Sequence, residues 1–224
     1  MDFQFKSISV EKEHIGIAFC DSKSRLLGFA KKLDQLSKKH ISSQLKSDLS
    51  FQKRSSKLFD YCVIHNPNNL KLSKLYIFKL KDYNNYSIRD FQILGGHLTS
   101  LISFYREDKV GIYPDGVISK KVSFINGISE MLIGSLLASY KFNKYKKINN
   151  KKDKIKKPVK VKIYSTVHSR LEKNYINVEA VSKGAALTRD LVTEPPNVMT
   201  PPEIAKNAES LEKIGIKVTV LGEK

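Results

Sequence analysis

The stretch TRDLVTEPPNVMTPPEIA, residues 188–205, decides how this chain of 224 residues is organised. It holds four of the seven prolines, as the pairs Pro195-Pro196 and Pro201-Pro202. A proline ring removes a backbone donor and clashes with the preceding helical turn, so a proline pair cannot continue a helix. We therefore predict that the helix before the first pair ends at about Thr193.

A second helix is predicted to begin at the second proline pair. The side chain of Thr200 can cap a helix, and Pro201 falls at the first helical position, where its missing N–H costs nothing. Glu203 follows Thr200 by three residues and completes a capping-box pattern. The stretch thus predicts a helix, a rigid extended joint and a second helix.

Short apolar runs alternate with segments of helical spacing along the rest of the chain. Strands are predicted at residues 3–5, 15–20, 59–65, 75–80, 109–113, 159–164 and 216–221. Helices are predicted at residues 26–36, 41–49, 88–105, 122–140, 172–192 and 203–214. The polar residues between the first two strands predict a hairpin-like turn or a loop, and residues 51–57 predict a charged loop. This alternation predicts an α/β fold in which helices cover both faces of a mixed, mostly parallel sheet.

Two segments of the chain resemble one known family. Arg189-Asp190-Leu191, Glu194-Pro195-Pro196-Asn197 and Thr200-Pro201 resemble the joint between the N-terminal and catalytic domains of leucine (cytosol) aminopeptidases. EMLIGSLLASYKFNKYKK, residues 130–147, resembles the segment of this family in which a Glu-led apolar helix ends in an aromatic, lysine-rich tail. The order of the elements from Met1 onward also fits the N-terminal domain of the family.

The resemblance implies a domain organisation and a role. Residues 1–170 would form a non-catalytic α/β domain, residues 171–200 the connecting helix and proline joint, and residues 201–224 the start of a truncated catalytic domain. The family consists of hexameric two-metal exopeptidases that release N-terminal residues such as leucine. The chain would then be an accessory and assembly part. Its partner would be a catalytic domain, in cis or in trans, that holds two divalent ions, manganese or zinc.

No catalytic, cofactor-binding or metal-binding residue is assigned within the chain. The Asp-rich, glycine-containing segment and the Asn-Thr-Asp-Ala-Glu-Gly-Arg motif that supply the metal ligands of the family are absent from the sequence. The five histidines are scattered and lack the spacing of an HExxH zinc site, and no GxSxG nucleophile elbow is present. The five histidines are His14, His40, His65, His97 and His168. We therefore predict that the chain alone is catalytically inactive.

Gly95 and Gly96 lie in the middle of the helix predicted at residues 88–105. Glycine inside a helix costs about 1 kcal/mol relative to alanine, so close packing against a neighbouring element is the expected compensation. A phosphate-binding loop is the alternative, but the pair lacks the required glycine spacing and the preceding strand.

The formal net charge of +18 suggests nucleic acid as an alternative partner, because clustered cations gain affinity from counterion release. However, 34 of the 40 basic residues are lysines, which favour solvated point contacts over the planar contacts of arginine. This excess is also typical of the compositional bias of an AT-rich genome. Residues 141–162 contain eleven lysines together with Phe142 and Tyr145, and predict a flexible loop or, alternatively, an aromatic and basic nucleic-acid platform.

The remaining features indicate a cytoplasmic protein without a membrane partner. Cys20 and Cys62 lie in apolar runs and are predicted to be buried free thiols in a reducing compartment. The first residues, MDFQFKSISVEKE, are charged and lack the apolar region of a secretory signal. No run approaches the roughly 20 apolar residues that span a bilayer.

Overall fold

The computed structural model of the chain describes residues 1–10, 13–46, 57–105, 109–146 and 158–222. Residues 51–56 of the predicted loop and residues 147–157 of the lysine-rich segment lie outside the described residues.

In the described part of the chain, six strands form a single sheet. They are β1 (Asp2–Lys6), β2 (Glu13–Cys20), β3 (Phe59–His65), β4 (Leu72–Leu80), β5 (Lys109–Ile112) and β6 (Lys160–Tyr164). Their order across the sheet is β1-β6-β5-β2-β4-β3. All neighbours are parallel except β3 and β4, which pair antiparallel, with Phe59 opposite Leu80 and His65 opposite Lys74. The predicted mixed, mostly parallel α/β sheet is confirmed.

Six α-helices, counted over the described residues, connect and cover the strands. They are α1 (Ala30–Leu36), α2 (His40–Leu45), α3 (Ile88–Tyr105), α4 (Phe124–Ser139), α5 (His168–Thr193) and α6 (Pro201–Glu209). Short 3₁₀ helices span Tyr83–Asn85 and Ser210–Ile214. The helix α5 is 26 residues long and ends at Thr193, where the first proline pair predicts its end.

The two faces of the sheet carry separate cores. On one face, α3, α4 and α5 bury a cluster that includes Ile15, Ile17 and Phe19 of β2. On the other face, α1 and α2 pack against Ala18 and Cys20 of the same strand. Because both faces of the central strands are buried, these strands read as nearly continuous apolar runs.

Gly95, one of the glycine pair of α3, lies where the backbones of α3 and α4 are in close contact. A Cβ atom added to Gly95 would lie 1.8 Å from the carbonyl oxygen of Met131, whereas one added to Gly96 would have no neighbour nearer than 3.7 Å. The Ser135 hydroxyl of α4 stabilises this contact by donating a hydrogen bond of 3.0 Å to the carbonyl oxygen of Gly95. The predicted close packing is therefore present, and it depends on Gly95.

Of the two alternatives for the connection between β1 and β2, the hairpin-like turn is excluded, because β1 pairs with β6 while β2 pairs with β4 and β5. Two other local predictions are wrong. The strand predicted at residues 216–221 is not formed, since no strand lies beside this segment in the described part of the chain. The capping box is also absent: Thr200 occupies the cap position of α6, but its side chain makes no capping hydrogen bond.

Candidate functional site at the proline joint

The joint begins at Glu194, the first residue after the end of α5 at Thr193. Its backbone is extended, with φ −61° and ψ 142°, and its N–H still donates to the carbonyl oxygen of Asp190 at 3.1 Å. Beyond it, the carbonyl oxygen of Pro195 accepts hydrogen bonds of 2.9 Å from the N–H groups of Val198 and Met199. Because each proline fixes its own φ, this turn restricts the backbone conformations that can connect Glu194 to α6.

A segment that follows α4 contacts the end of α5. We call residues 140–146, YKFNKYK, the aromatic-basic tail. The helix α4 ends at Ser139, and the extended backbone of Tyr140, with φ −59° and ψ 136°, turns the chain away from the helix axis. The tail then runs beside the last turn of α5, about fifty residues later in sequence.

The first set of contacts joins Tyr140 to the last turn of α5. The Tyr140 hydroxyl donates to Asp190 Oδ1 at 2.6 Å. The guanidinium of Arg189 lies 4.9 Å from the centre of the Tyr140 ring and donates to the carbonyl oxygen of Leu137 at 2.7 Å. The hydrogen bond to Asp190 raises the pKa of Tyr140, so this phenol keeps its proton. Arg189 also satisfies one of the carbonyl groups that the end of α4 leaves free.

The second set of contacts converges on Glu194. Lys144 Nζ lies 2.7 Å from Glu194 Oε1, and the Tyr145 hydroxyl donates to Glu194 Oε2. The Glu194 side chain is only 7% exposed, whereas that of Lys144 is 56% exposed. The hydrogen bonds from Lys144 and Tyr145 lower the pKa of Glu194, and its carboxylate raises the pKa of both donors. Glu194 is thus a charged carboxylate, and each of its two oxygens accepts a hydrogen bond from the tail.

These six side chains form one polar contact, which we call the joint clamp: Tyr140, Lys144, Tyr145, Arg189, Asp190 and Glu194. Three come from the aromatic-basic tail and three from the end of α5 and the joint. The arrangement can hold two segments together through charge-assisted hydrogen bonds. It offers no activated nucleophile or acid–base pair, because each carboxylate is already bound by a donor from the tail.

Both halves of the joint clamp lie in segments that the sequence singled out, but the sequence did not predict that they touch. The available signal was complementarity: two acids at the end of the predicted helix and basic, hydroxyl-bearing side chains in the tail. Lys144 and Tyr145 lie within the loop predicted at residues 141–162, and both are bound to Glu194. The same bonds occupy Tyr145, one of the two aromatic residues of the alternative nucleic-acid platform.

A second candidate region is the crevice at the carboxyl ends of β2 and β5. The strand β2 leads to α1 on one face and β5 leads to α4 on the other, and open α/β sheets commonly bind ligands at such a switch point. The loop after β2 and the loop after β5 are in contact here. A Cβ atom added to Gly28 would lie 1.7 Å from the Asp115 carbonyl oxygen, and one added to Gly116 would lie 2.5 Å from the Gly28 nitrogen. The crevice is filled by backbone.

Side chains of the same loops reinforce this closure. Asp115 Oδ1 accepts a hydrogen bond of 2.6 Å from the Ser165 hydroxyl, and Asp115 Oδ2 accepts from the N–H and hydroxyl of Thr166 at 3.0 and 2.9 Å. Asp115 therefore ties the loop after β5 to the loop after β6. A shallow groove of about 430 Å³ remains beside it.

The histidines and acids that the structure describes do not gather at one point. His40 accepts a hydrogen bond from the Asn68 N–H, His97 packs edge-on against Phe59, and His168 lies against the carbonyl oxygen of Ser165. Among the residues that the structure describes, no group of three or more histidine, cysteine or acidic side chains could hold a metal ion. The described residues therefore do not fit the two-metal site that the resemblance implies for the family, and no catalytic step is derived from them.

Cys20 and Cys62 are free and buried, as predicted. They lie on β2 and β3 and belong to the core under α1 and α2. Burial raises the pKa of Cys20 to about 12 and that of Cys62 to about 11. Both thiols are thus held in the unreactive, protonated form.

Curated relatives match the chain over most of its length. It is 33% identical over 159 residues to a probable cytosol aminopeptidase of Rhizobium leguminosarum, and 36% identical over 159 residues to one of Agrobacterium fabrum. Each match covers 70% of this chain and 31% of the relative. The chain therefore spans about a third of the length of the curated relatives it matches. No protein-family model matches it.

Solved structures share the fold. A mutant of tomato leucine aminopeptidase superposes with a TM-score of 0.66 at 16% identity, over 96% of this chain and 42% of that one. The bottromycin maturation enzyme BotP, in complex with Mn, superposes with a TM-score of 0.58 at 10% identity, over 90% of this chain and 36% of that one. In the described part of the chain, no helix combines the length and apolar character needed to cross a bilayer.

Proposed function

Because this chain is homologous to part of the leucine (cytosol) aminopeptidases, we propose that it is the N-terminal accessory and assembly part of a metallo-exopeptidase of that kind. The observation that carries the proposal is the match of 159 residues to relatives named cytosol aminopeptidase. The parent activity would be the release of N-terminal residues from peptides by a catalytic part that holds two divalent ions, manganese or zinc. The cytoplasm is the proposed location.

The proposed domain boundaries lie near the ends of elements. The sheet and α1–α4 would form the accessory domain at residues 1–170, and this boundary falls in the first turn of α5. The rest of α5 and the proline joint would connect the domains at residues 171–200, and α6 would belong to the catalytic part that starts at residue 201. The first part of α5 packs on the accessory domain through Leu171 and Val178, which are buried. The remainder of α5 extends beyond this core.

Exposed apolar side chains favour a docking role for α5 and the segment after the joint. Ile176 is 71% exposed and Val192 is 81% exposed on α5, and Leu221 is 89% exposed beyond α6. Val181 and Leu187 of α5 are also exposed, and exposed apolar side chains mark an interaction surface where they form a contiguous patch. The occupant that we propose is the catalytic part of the aminopeptidase, supplied by the same polypeptide or by a separate one.

Docking can be tested by size-exclusion chromatography with the separately produced catalytic part of the Agrobacterium fabrum relative. We expect the two polypeptides to co-elute, and we expect Val192→Asp to weaken this association by at least tenfold. Ile118→Asp is the matched control, because Ile118 is also exposed but lies between β5 and α4. Independent elution, or equal weakening by both substitutions, would contradict the docking proposal.

Binding of nucleic acid is the second candidate, and the net charge of +18 favours it. In this case the affinity for duplex DNA would fall steeply with added salt. Equal affinity for unrelated DNA sequences and for heparin would reduce the interaction to nonspecific charge, whereas a preference for one sequence would support a binding function.

A further inference from the structure

We propose that the joint clamp is a conformational strap that fixes the direction in which the chain leaves α5, and that its release frees the joint without unfolding the domain. This inference concerns the described residues alone and does not depend on the proposed aminopeptidase activity.

The packing of α5 shows why a strap is needed. The buried residues of this 26-residue helix are Leu171, Val178 and Ser182, all in its first fifteen residues. No residue from 183 to 193 is buried and only Ala185, Ala186 and Leu191 are half-buried, so the last three turns bury little of the apolar surface that usually holds a helix in place. The polar contacts of the joint clamp hold this end in addition.

The position of Glu194 makes it the controlling residue. It is the last residue before the rigid Pro195-Pro196 pair, so the orientation of its backbone is passed to the turn that Pro195 forms with Val198 and Met199. Its side chain is held by two donors from the tail. Because hydrogen bonds hold the side chain of Glu194 and a stiff proline pair follows it, Glu194 sets the direction of the segment after α5.

The joint clamp can open independently of the core. Two of its members, Lys144 and Tyr145, are more than half exposed, and none of the six belongs to either apolar core. Breaking its hydrogen bonds therefore removes no buried apolar contact. Segments that are held by few and exposed contacts open with small free energies, below that of global unfolding.

The test is amide hydrogen exchange on the complete 224-residue chain, comparing the wild type with Glu194→Gln. Substitution to glutamine keeps the shape of the side chain but removes the charge that Lys144 binds. We expect exchange at Glu194, Val198 and Met199 to accelerate roughly tenfold, since charge-assisted hydrogen bonds are the strong ones. Exchange in α3 and α4 should stay unchanged.

The chain offers a matched control on the same helix. Glu179 forms an ion pair of 3.2 Å with Lys183 on the exposed side of α5. Glu179→Gln removes a carboxylate from the same helix without touching the aromatic-basic tail, and we expect it to leave exchange in the joint at the wild-type rate. The double variant Lys144→Glu with Glu194→Lys restores opposite charges in exchanged positions and should recover part of the protection.

Tyr145→Phe provides a milder variant, because it removes a single hydrogen bond and retains the ring. It should accelerate exchange in the joint less than Glu194→Gln does. The proposal is overturned if Glu194→Gln leaves exchange in the joint unchanged, if Glu179→Gln accelerates it equally, or if all helices accelerate together, since the last result would show global destabilisation rather than local release.

Discussion

At the scale of single residues, neighbouring glycines of α3 have opposite roles. Gly95→Ala would place a Cβ atom 1.8 Å from the Met131 carbonyl oxygen, so α3 and α4 would have to separate. We expect this substitution to lower the free energy of unfolding by about 3 kcal/mol or more, as overpacking does when backbone must move. Urea denaturation measures the loss.

Gly96→Ala is the matched control for this prediction. Its Cβ atom would meet only the side chain of Ala138 at 3.7 Å, which is ordinary contact. Because alanine favours a helix over glycine, we expect the free energy of unfolding to rise by up to about 1 kcal/mol. Equal effects of the two substitutions would refute the close approach of α3 and α4 at Gly95.

Cys20 and Cys62 provide a second test at this scale. With pKa values raised by burial to about 12 and about 11, these thiols are protonated at pH 8, where the thiolate fraction is roughly one in a thousand or less. We expect a disulfide reagent to label the folded chain very slowly at pH 8. The same chain unfolded in guanidinium should react at both thiols, and rapid labelling of the folded chain would disprove the burial.

At the scale of elements, the end of a helix was easier to predict from the sequence than the pairing of strands. The proline pair determined the end of α5 correctly, because the effect of proline on a helix is local. The apolar pattern of residues 216–221 suited a strand, but a strand also needs a neighbour, and pattern alone does not supply one. For the same reason, the pairing of β1 with β6, from the two ends of the domain, was not predicted.

The start of α6 allows a direct test of one such boundary. The Thr200 side chain makes no capping hydrogen bond, whereas the Ser123 hydroxyl accepts one from the Asn126 N–H at the start of α4. We therefore expect Thr200→Ala to lower the free energy of unfolding by less than about 0.5 kcal/mol and Ser123→Ala to lower it by about 1 kcal/mol. Thermal denaturation of both variants decides this, and a larger loss for Thr200→Ala would restore the capping box.

At the scale of the whole molecule, the candidate site was predictable only in its parts. The segments at residues 130–147 and 188–205 were each recognised by their resemblance to one family. Their contact through Tyr140, Lys144 and Glu194 spans about fifty residues of sequence, and local periodicity does not carry such long-range information. The fold class, in contrast, follows from the alternation of strand and helix patterns, which each segment encodes for itself.

The last prediction concerns the activity of the chain as a whole. A two-metal peptidase needs clustered carboxylates that hold ions about 3.5–4 Å apart, and the described residues contain no such cluster. We expect the pure chain, supplied with Mn²⁺ or Zn²⁺, to release no leucine from a leucyl anilide. The complete Agrobacterium fabrum relative serves as the positive control in the same buffer. Metal-dependent release by the pure chain that a chelator abolishes would place a catalytic site within these 224 residues.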